Sequence, residues 1–362
     1  MELSGKKMAS SSLWQGPLFI VGASRSGTAM LRSILNRSPE ISLAGETHYF
    51  DDLRPRLLGK SLSGMTEQER NACADYFRSQ TVRPYGAKGD PEQSKLSRSE
   101  LLTAAAAIGD SSDSVFEAFC RLRLRSTEAR IWGEKTPRHI FRIDEIMQLY
   151  PEARVICMVR DARAVVASYR DWNYQGGLPS ENDAGYQDAL LADDQRKHAS
   201  YHIVIASMMW RAAANAAFSA QARHGTDRVR IVRYEDATDD PDQVVRNLNA
   251  WIGVGFDESL LNVPLHNSST MKFAATAGIS KAPQNRWREV LSEKEIGVIQ
   301  QVAGRALKKA GYEILPVRSG KADLVGAYMT VPAAVVRAAR ANRSRYDSLG
   351  KYVMRRLKAA LG

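Results

Sequence analysis

Cysteine is scarce in this chain: Cys73, Cys120 and Cys157 are the three among 362 residues. An odd number, widely spaced and without a C-x-x-C pair, excludes a disulfide-framed secreted scaffold and a cysteine-built metal site. The thiols read as reduced core or incidental groups of a cytoplasmic protein. Long apolar runs are missing from the N-terminal region as well. Lys6 and Lys7 are followed by Leu18–Val21, which is too short for a signal core or a membrane span and is needed as a strand. Internal repeats and low-complexity tracts are absent, which sets aside solenoid and fibrous architectures. Acidic residues are outnumbered 40 to 51, a formal net charge of +11. That excess is local. Val317 to Gly362 holds ten basic residues against Asp323 and Asp347, so eight of the eleven charges sit there and the rest of the chain is near neutral at +3. At 44% hydrophobic residues the chain can bury a core without covalent support, as one large α/β domain or two smaller ones.

What is present is organised around Leu18–Leu35, L-F-I-V-G-A-S-R-S-G-T-A-M-L-R-S-I-L. Leu18–Val21 has the length and β-branched content of a buried strand. Met30, Leu31, Ile34 and Leu35 then recur at helical spacing. Between them Gly22-Ala-Ser-Arg-Ser-Gly27-Thr28 forms a glycine-bracketed loop. A strand, such a loop and a helix in that order make an anion cradle, because loop N–H groups and the first helical turn converge on one spot. A triphosphate loop of the Walker type needs G-x-x-x-x-G-K-[ST], with its lysine on the outer phosphates. Gly22 and Gly27 keep the glycine spacing, but Thr28 stands at the lysine position and Arg25 lies inside the loop.

The loop G-x-[SP]-R-S-G-T after a first strand resembles the 5′-phosphosulfate loop of sulfotransferases that use 3′-phosphoadenosine 5′-phosphosulfate. The resemblance implies that Ser24, Arg25, Ser26, Gly27 and Thr28 hold the donor. A second segment, Ala153–Trp172, is consistent with it. Val155–Val159 is another apolar run with Arg160 at its carboxyl end, where open α/β sheets place ligand-binding groups. Ser168 follows eight residues later, about two helical turns on. The family holds the nucleotide's 3′-phosphate with an arginine and a serine at this spacing, and an arginine fork suits a terminal phosphate. R-D-x-R after a strand is also what a helix cap with a surface ion pair looks like. The family often has proline or glycine where Ala162 stands. A third segment, Trp132-Gly-Glu-Lys-Thr-Pro-Arg-His139, carries a K-[TD]-P element similar to the tyrosylprotein and carbohydrate branches. It assigns Lys135 to the leaving group, whereas Pro137 is explained by helix capping alone.

The general base is sought at the end of a second short strand, Ile41–Ala44, which runs into Gly45-Glu46-Thr47-His48. In the tyrosylprotein-like branch the base is a glutamate twenty-one residues after the loop arginine, which is Glu46 when counted from Arg25. His48 is the rival, because histidine is the base in the branch acting on small molecules and titrates near neutrality. A satisfied polar loop would explain both residues without catalysis.

The remaining segments carry weaker signals. Residues 51–130 alternate polar helices with Pro and Gly breaks, and read as an insertion forming the acceptor wall. Tyr174–Ser200 reads as a second wall. Tyr201–Arg223 reads as a long helix with Ile205, Met208, Met209, Ala212 and Ala216 inward. A methionine stripe of this kind is core packing rather than a cofactor contact. Val229–Asp236 is a strand ending in R-Y-E-D, followed by a helix from Pro241 to Trp251-Ile-Gly253. In the family this tyrosine, Tyr234, lies beside the donor's adenosine, although a tyrosine capping the sheet would look the same. A late loop contributes Ser269 and Lys281 by the same resemblance. Leu291–Ala310 is an amphipathic helix stopped at Gly311. In the basic tail, Val331, Val335, Val336, Leu349, Tyr352, Val353, Leu357 and Leu361 lie between cations at approximate helical intervals. A helix resting on anionic membrane and a helix packed on its own domain both fit this pattern. Nucleic-acid binding has neither interleaved aromatics nor a reader fold behind it.

The expectation is a P-loop-like three-layer α/β fold, with a mainly parallel sheet and helices on both faces, over residues 1–316, followed by a basic helical tail over 317–362. Its expected activity is metal-free sulfuryl transfer from 3′-phosphoadenosine 5′-phosphosulfate to a hydroxyl, with a glycan or glycolipid as first acceptor and a peptide tyrosine or small alcohol next. Its expected place is the cytoplasm, with peripheral membrane contact through the tail. The rivals are a P-loop kinase of small molecules, weakened by the missing lysine, and a non-catalytic membrane or polyanion binder, which leaves the three motifs unexplained.

Overall fold

The computed structural model describes residues 14–82, 89–124, 126–171, 192, 195–263, 279–343, 350 and 354. Five strands form one parallel sheet: β1 (Leu18–Gly22), β2 (Ile41–Ala44), β3 (Ile131–Lys135), β4 (Arg154–Val159) and β5 (Val229–Arg233). Their spatial order is β2-β3-β1-β4-β5. The central strand pairs Ile20 with Lys135 on one side and with Ile156 on the other, and Gly22 with Met158. Every residue of β1 is buried, as a strand covered on both faces requires.

Strand alternation divides the core in two. Leu18 and Ile20 point to a layer holding Leu31, Leu35, Leu248 and Ile252, from the helices Thr28–Leu35 and Pro241–Ile252. Phe19 and Val21 point to a larger layer with Phe116, Trp132, Val165, Trp210 and Ile299. The helices Ser112–Arg121, Ala162–Arg170, Ile203–His224 and Glu293–Lys309 supply that layer. The three-layer α/β architecture expected from the sequence is therefore present. Caps mark the helix boundaries: Thr66 with Glu69 and Ser292 with Glu295 form capping boxes. Pro241 opens its helix after Asp240 caps Gln243 N, and Gly253 closes it in the left-handed region.

Helices within 51–130 do not stand apart from this core. Phe77, Phe116 and Phe119 are buried, and Tyr49 stacks on Phe116 with ring centroids 4.9 Å apart. Cys73, Cys120 and Cys157 are free and buried, and burial pushes the Cys73 thiol up to about 12. The helix Ile203–His224 corrects one reading. It buries Val204, Ser207, Trp210, Ala213 and Ala217 and leaves Ile205, Met208, Met209 and Ala216 half-buried, although Ala212 is inward. Small residues let this helix lie close against its neighbours, and Trp210 is anchored by its indole N–H donating to Arg160 O at 2.8 Å. By length and composition the same helix could cross a membrane, but its packing against Ala162–Arg170, β5 and Glu293–Lys309 makes it a core helix.

In the tail, helices Lys321–Met329 and Val331–Ala341 lie against the domain. Leu324, Ala327 and Val331 pack on Val204, Val298 and Val302. Asn342 is buried, with its amide donating to Ser200 Oγ at 2.9 Å and its carbonyl accepting from Arg196. Leu349, Tyr352, Val353, Leu357 and Leu361, and most of Tyr174–Ser200, lie outside the described residues.

Candidate active site

The carboxyl ends of the five strands carry the predicted residues in sheet order. Glu46 follows β2, Lys135 ends β3, the cradle follows β1, Arg160 follows β4 and Tyr234 follows β5. Their order in the chain is different, so the topology assembles the site.

Gly27 opens the helix Thr28–Leu35 at φ 88°, and among the described residues no side chain caps its N–H groups. A Cβ on Gly27 would lie 2.4 Å from the Tyr234 ring, so this glycine is what lets the tyrosine sit against the loop. Arg25 also takes a left-handed conformation, φ 73°, which is costly outside glycine and is kept where the surroundings enforce it. Those surroundings are visible. Arg25 Nε donates to Ser168 Oγ at 2.9 Å, and Arg160 Nη1 donates to Arg25 O at 3.0 Å. Arg160 also donates to Pro283 O at 2.6 Å, and its guanidinium lies 4.4 Å above the Tyr234 ring. Arg25, Arg160, Ser168 and Tyr234 are thus one connected group.

Two buried donors in and beside this group, Ser26 Oγ and Arg160 Nε, have no hydrogen-bond partner among the described residues. Unpaired buried donors are costly, and a bound anion supplies the acceptors they need. The residues therefore fit a phosphate-bearing donor. Beneath them, Asp161 N donates to Glu235 Oε1 at 3.1 Å and Tyr312 OH donates to Glu235 Oε2 at 2.6 Å. Burial pushes the Glu235 carboxyl up despite these bonds. Asp161 caps Arg163 N and pairs with the Arg163 guanidinium, which stacks 4.4 Å from Trp287.

On the other side of β1, Lys135 Nζ donates to Glu46 Oε1 at 2.5 Å and His48 Nε2 lies 3.4 Å from Glu46 Oε2. Burial works to raise the Glu46 carboxyl, but the His48 contact and the Lys135 charge outweigh it and hold the group well below the usual carboxylate range. Glu46 and His48 therefore adjoin each other, with Glu46 alone on the lysine.

Glu134 and Thr47 adjoin these residues, and the sequence did not single them out. Alternation turns Glu134 to the face of β3 opposite Lys135, and Thr47 meets it there from the segment after β2. The Glu134 carboxylate is fully buried and accepts from Thr47 N at 3.2 Å and Thr47 Oγ1 at 2.5 Å. His139 Nδ1 lies 2.5 Å away, and Tyr76 OH donates to Thr47 O at 2.6 Å. The segment 46–48, including the left-handed His48 at φ 56°, is thus fixed from behind. The available signal was E-K at the end of a buried strand, where alternation sends one charge to each face.

Lys281 is exposed and pairs with Asp239 at 3.3 Å rather than with a cradle residue, and Ser269 lies outside the described residues. Among the described residues, no group of three His, Cys, Asp or Glu side chains is placed to hold a metal. A cavity of about 390 Å³ opens beside β5, lined by Phe218, Arg230, Arg233 and Lys309 among others; none of the predicted site residues lines it.

The fold and this row of residues define a P-loop-like α/β protein with an anion cradle at the carboxyl edge of its sheet. The chain belongs to the sulfotransferase family, whose pattern matches residues 17–258. It is 23% identical over 310 residues to the nodulation protein NoeE of Sinorhizobium fredii, covering 82% of this chain and 65% of that protein. It is 26% identical over 198 residues to carbohydrate sulfotransferase 5 of Mus musculus, covering 51% of this chain and 49% of that one. The chain thus spans less than two thirds of either relative. Among solved structures, the sulfotransferase domain of the Synechococcus olefin synthase shares the fold, with a TM-score of 0.50 at 20% identity over 85% of this chain and 98% of that domain.

Proposed function

We propose that this protein transfers a sulfuryl group from 3′-phosphoadenosine 5′-phosphosulfate to an acceptor hydroxyl, with a glycan or glycolipid as the first acceptor class. The observation that carries the reading is the row along the sheet edge: a carboxylate paired to a lysine, then the cradle, then an arginine stacked on a tyrosine. The cradle and Arg25 receive the 5′-phosphosulfate, Arg160 and Ser168 the 3′-phosphate, and Tyr234 the adenosine side. Family membership supports the reaction class, and the likeness to a carbohydrate sulfotransferase supports the acceptor class.

Glu46 takes the acceptor proton as the acceptor oxygen forms its bond to sulfur. The bond from sulfur to the bridging oxygen breaks, and its electron pair stays on the departing phosphate. Lys135 and Arg25 stabilise that charge, together with loop N–H groups fixed in advance. The Lys135–Glu46 pair gives this scheme a switch. A lysine drawn to the bridging oxygen leaves Glu46, whose carboxyl then rises and becomes a stronger base, with the His48 contact still opposing the rise.

Glu46→Gln tests the assignment. Turnover on a sulfatable oligosaccharide, followed as 3′-phosphoadenosine 5′-phosphate release, is expected to fall on the order of 10²- to 10⁴-fold with affinity for the bisphosphate kept. Retained turnover in Glu46→Gln, with loss in His48→Gln, would transfer the role to His48.

A further inference from the structure

The tail helices carry two apolar faces, and one of them is covered. Leu324, Ala327 and Val331 meet the domain, as described above. Thr330 links the two helices with right-handed helical dihedrals, so helical periodicity carries through the junction. On the outer side the same periodicity aligns Val325, Tyr328, Met329, Pro332 and Val336, all exposed, with Val325 at 59% and Met329 at 76%. The stripe continues into charge at both ends: Lys321 lies four residues before Val325, and Arg340 and Arg343 lie four and seven residues after Val336. These three cations are exposed. The acidic side chain in the two helices, Asp323, is turned aside, accepting from Gly320 N at 2.9 Å and lying 3.7 Å from Lys294.

We propose that this face docks on an anionic lipid surface, with Val325, Tyr328, Met329 and Val336 at the headgroup boundary and the terminal cations on lipid phosphates. Charge complementarity selects the occupant. A single-sign charge frame around an apolar strip, in the segment that holds eight of the eleven net charges, matches a negative plane. The strip is an outward helix face carrying a tyrosine, a residue that favours membrane interfaces. The inward face keeps the helices on the domain while the outward face is used, so docking needs no unfolding.

Flotation of the full chain with phosphatidylcholine vesicles, with and without phosphatidylserine, tests this directly. Wild type is expected to float with the anionic vesicles only, and less so as salt is raised. Val325→Glu combined with Met329→Glu should lower the partition coefficient at least tenfold, about 1.4 kcal/mol. Binding of 3′-phosphoadenosine 5′-phosphate and the circular dichroism spectrum serve as fold controls and should not change. Wild type left unbound, or a double variant that floats equally well, overturns the proposal. So does a wild-type dimer by light scattering that the double variant dissociates without any vesicle binding, since the face would then be covered by a second copy. The bisphosphate control keeps this outcome separate from the proposed activity.

Discussion

Glu46 poses the sharpest question at the scale of single residues, because a carboxylate held below its usual range is a poor base until its lysine is drawn away. The pH dependence follows from that direction. A group whose carboxyl is depressed stays ionised through neutrality and mild acid, so kcat/KM should be flat from about pH 5 upward on its acid side. An ascending acid limb near neutrality would instead argue against Glu46 as the base. A pH–rate profile therefore tests Glu46 without mutation. Behind Glu46 and His48, Glu134 holds Thr47 by accepting from both its N–H and its hydroxyl. Thr47→Val keeps the shape and removes the hydroxyl, and is expected to lower kcat about tenfold, the effect of losing about 1.4 kcal/mol of positioning, with KM for the donor unchanged. Thr47→Ser should restore the rate. Glu134→Ala leaves His139 and Thr47 N buried without their partner, and chemical denaturation should show a loss of about 3 kcal/mol. The sequence pointed to Lys135 and passed over Glu134 beside it, because a buried charge is recognised by the partners the fold brings to it.

Among elements, the strand–loop–helix at Leu18–Leu35 was legible because its signals are local: an apolar run, two glycines and a helical period within eighteen residues. The structure adds why Gly27 is a glycine. Gly27→Ala puts a Cβ against the Tyr234 ring at a φ of 88°, so it should cost about 1–3 kcal/mol and weaken the bisphosphate, read by thermal shift and calorimetry on the same protein. The long helix was legible as a helix but not in its orientation. Its composition offers apolar residues on several sides, and the choice between the Met208–Met209 side and the Val204–Trp210 side is made by the surfaces it packs against. Trp210→Ala, which removes a buried ring and the bond to Arg160 O, should cost about 3–5 kcal/mol. Substitution of half-buried Met208 should cost clearly less, and equal losses in chemical denaturation would contradict the observed orientation.

For the whole molecule, the parallel sheet could be expected from its motifs, but its strand order could not. That order places Glu46 and Tyr234 at opposite ends of one row with the cradle between, although Glu46 is close to the cradle in sequence and Tyr234 is remote from it. The tail shows the same limit. Its charge was evident from composition, whereas the division into a face that meets the domain and a face that does not required the packing itself. Lys281, assigned by resemblance alone, pairs with exposed Asp239.

The identity of the donor is tested most directly by calorimetric titration with 3′-phosphoadenosine 5′-phosphate, with ATP and magnesium in parallel, on wild type and Arg160→Ala. Tight binding of the bisphosphate is expected, weakened at least tenfold, about 1.4 kcal/mol, by the substitution. Binding of magnesium-ATP with none of the bisphosphate would contradict it and return the cradle to triphosphate chemistry.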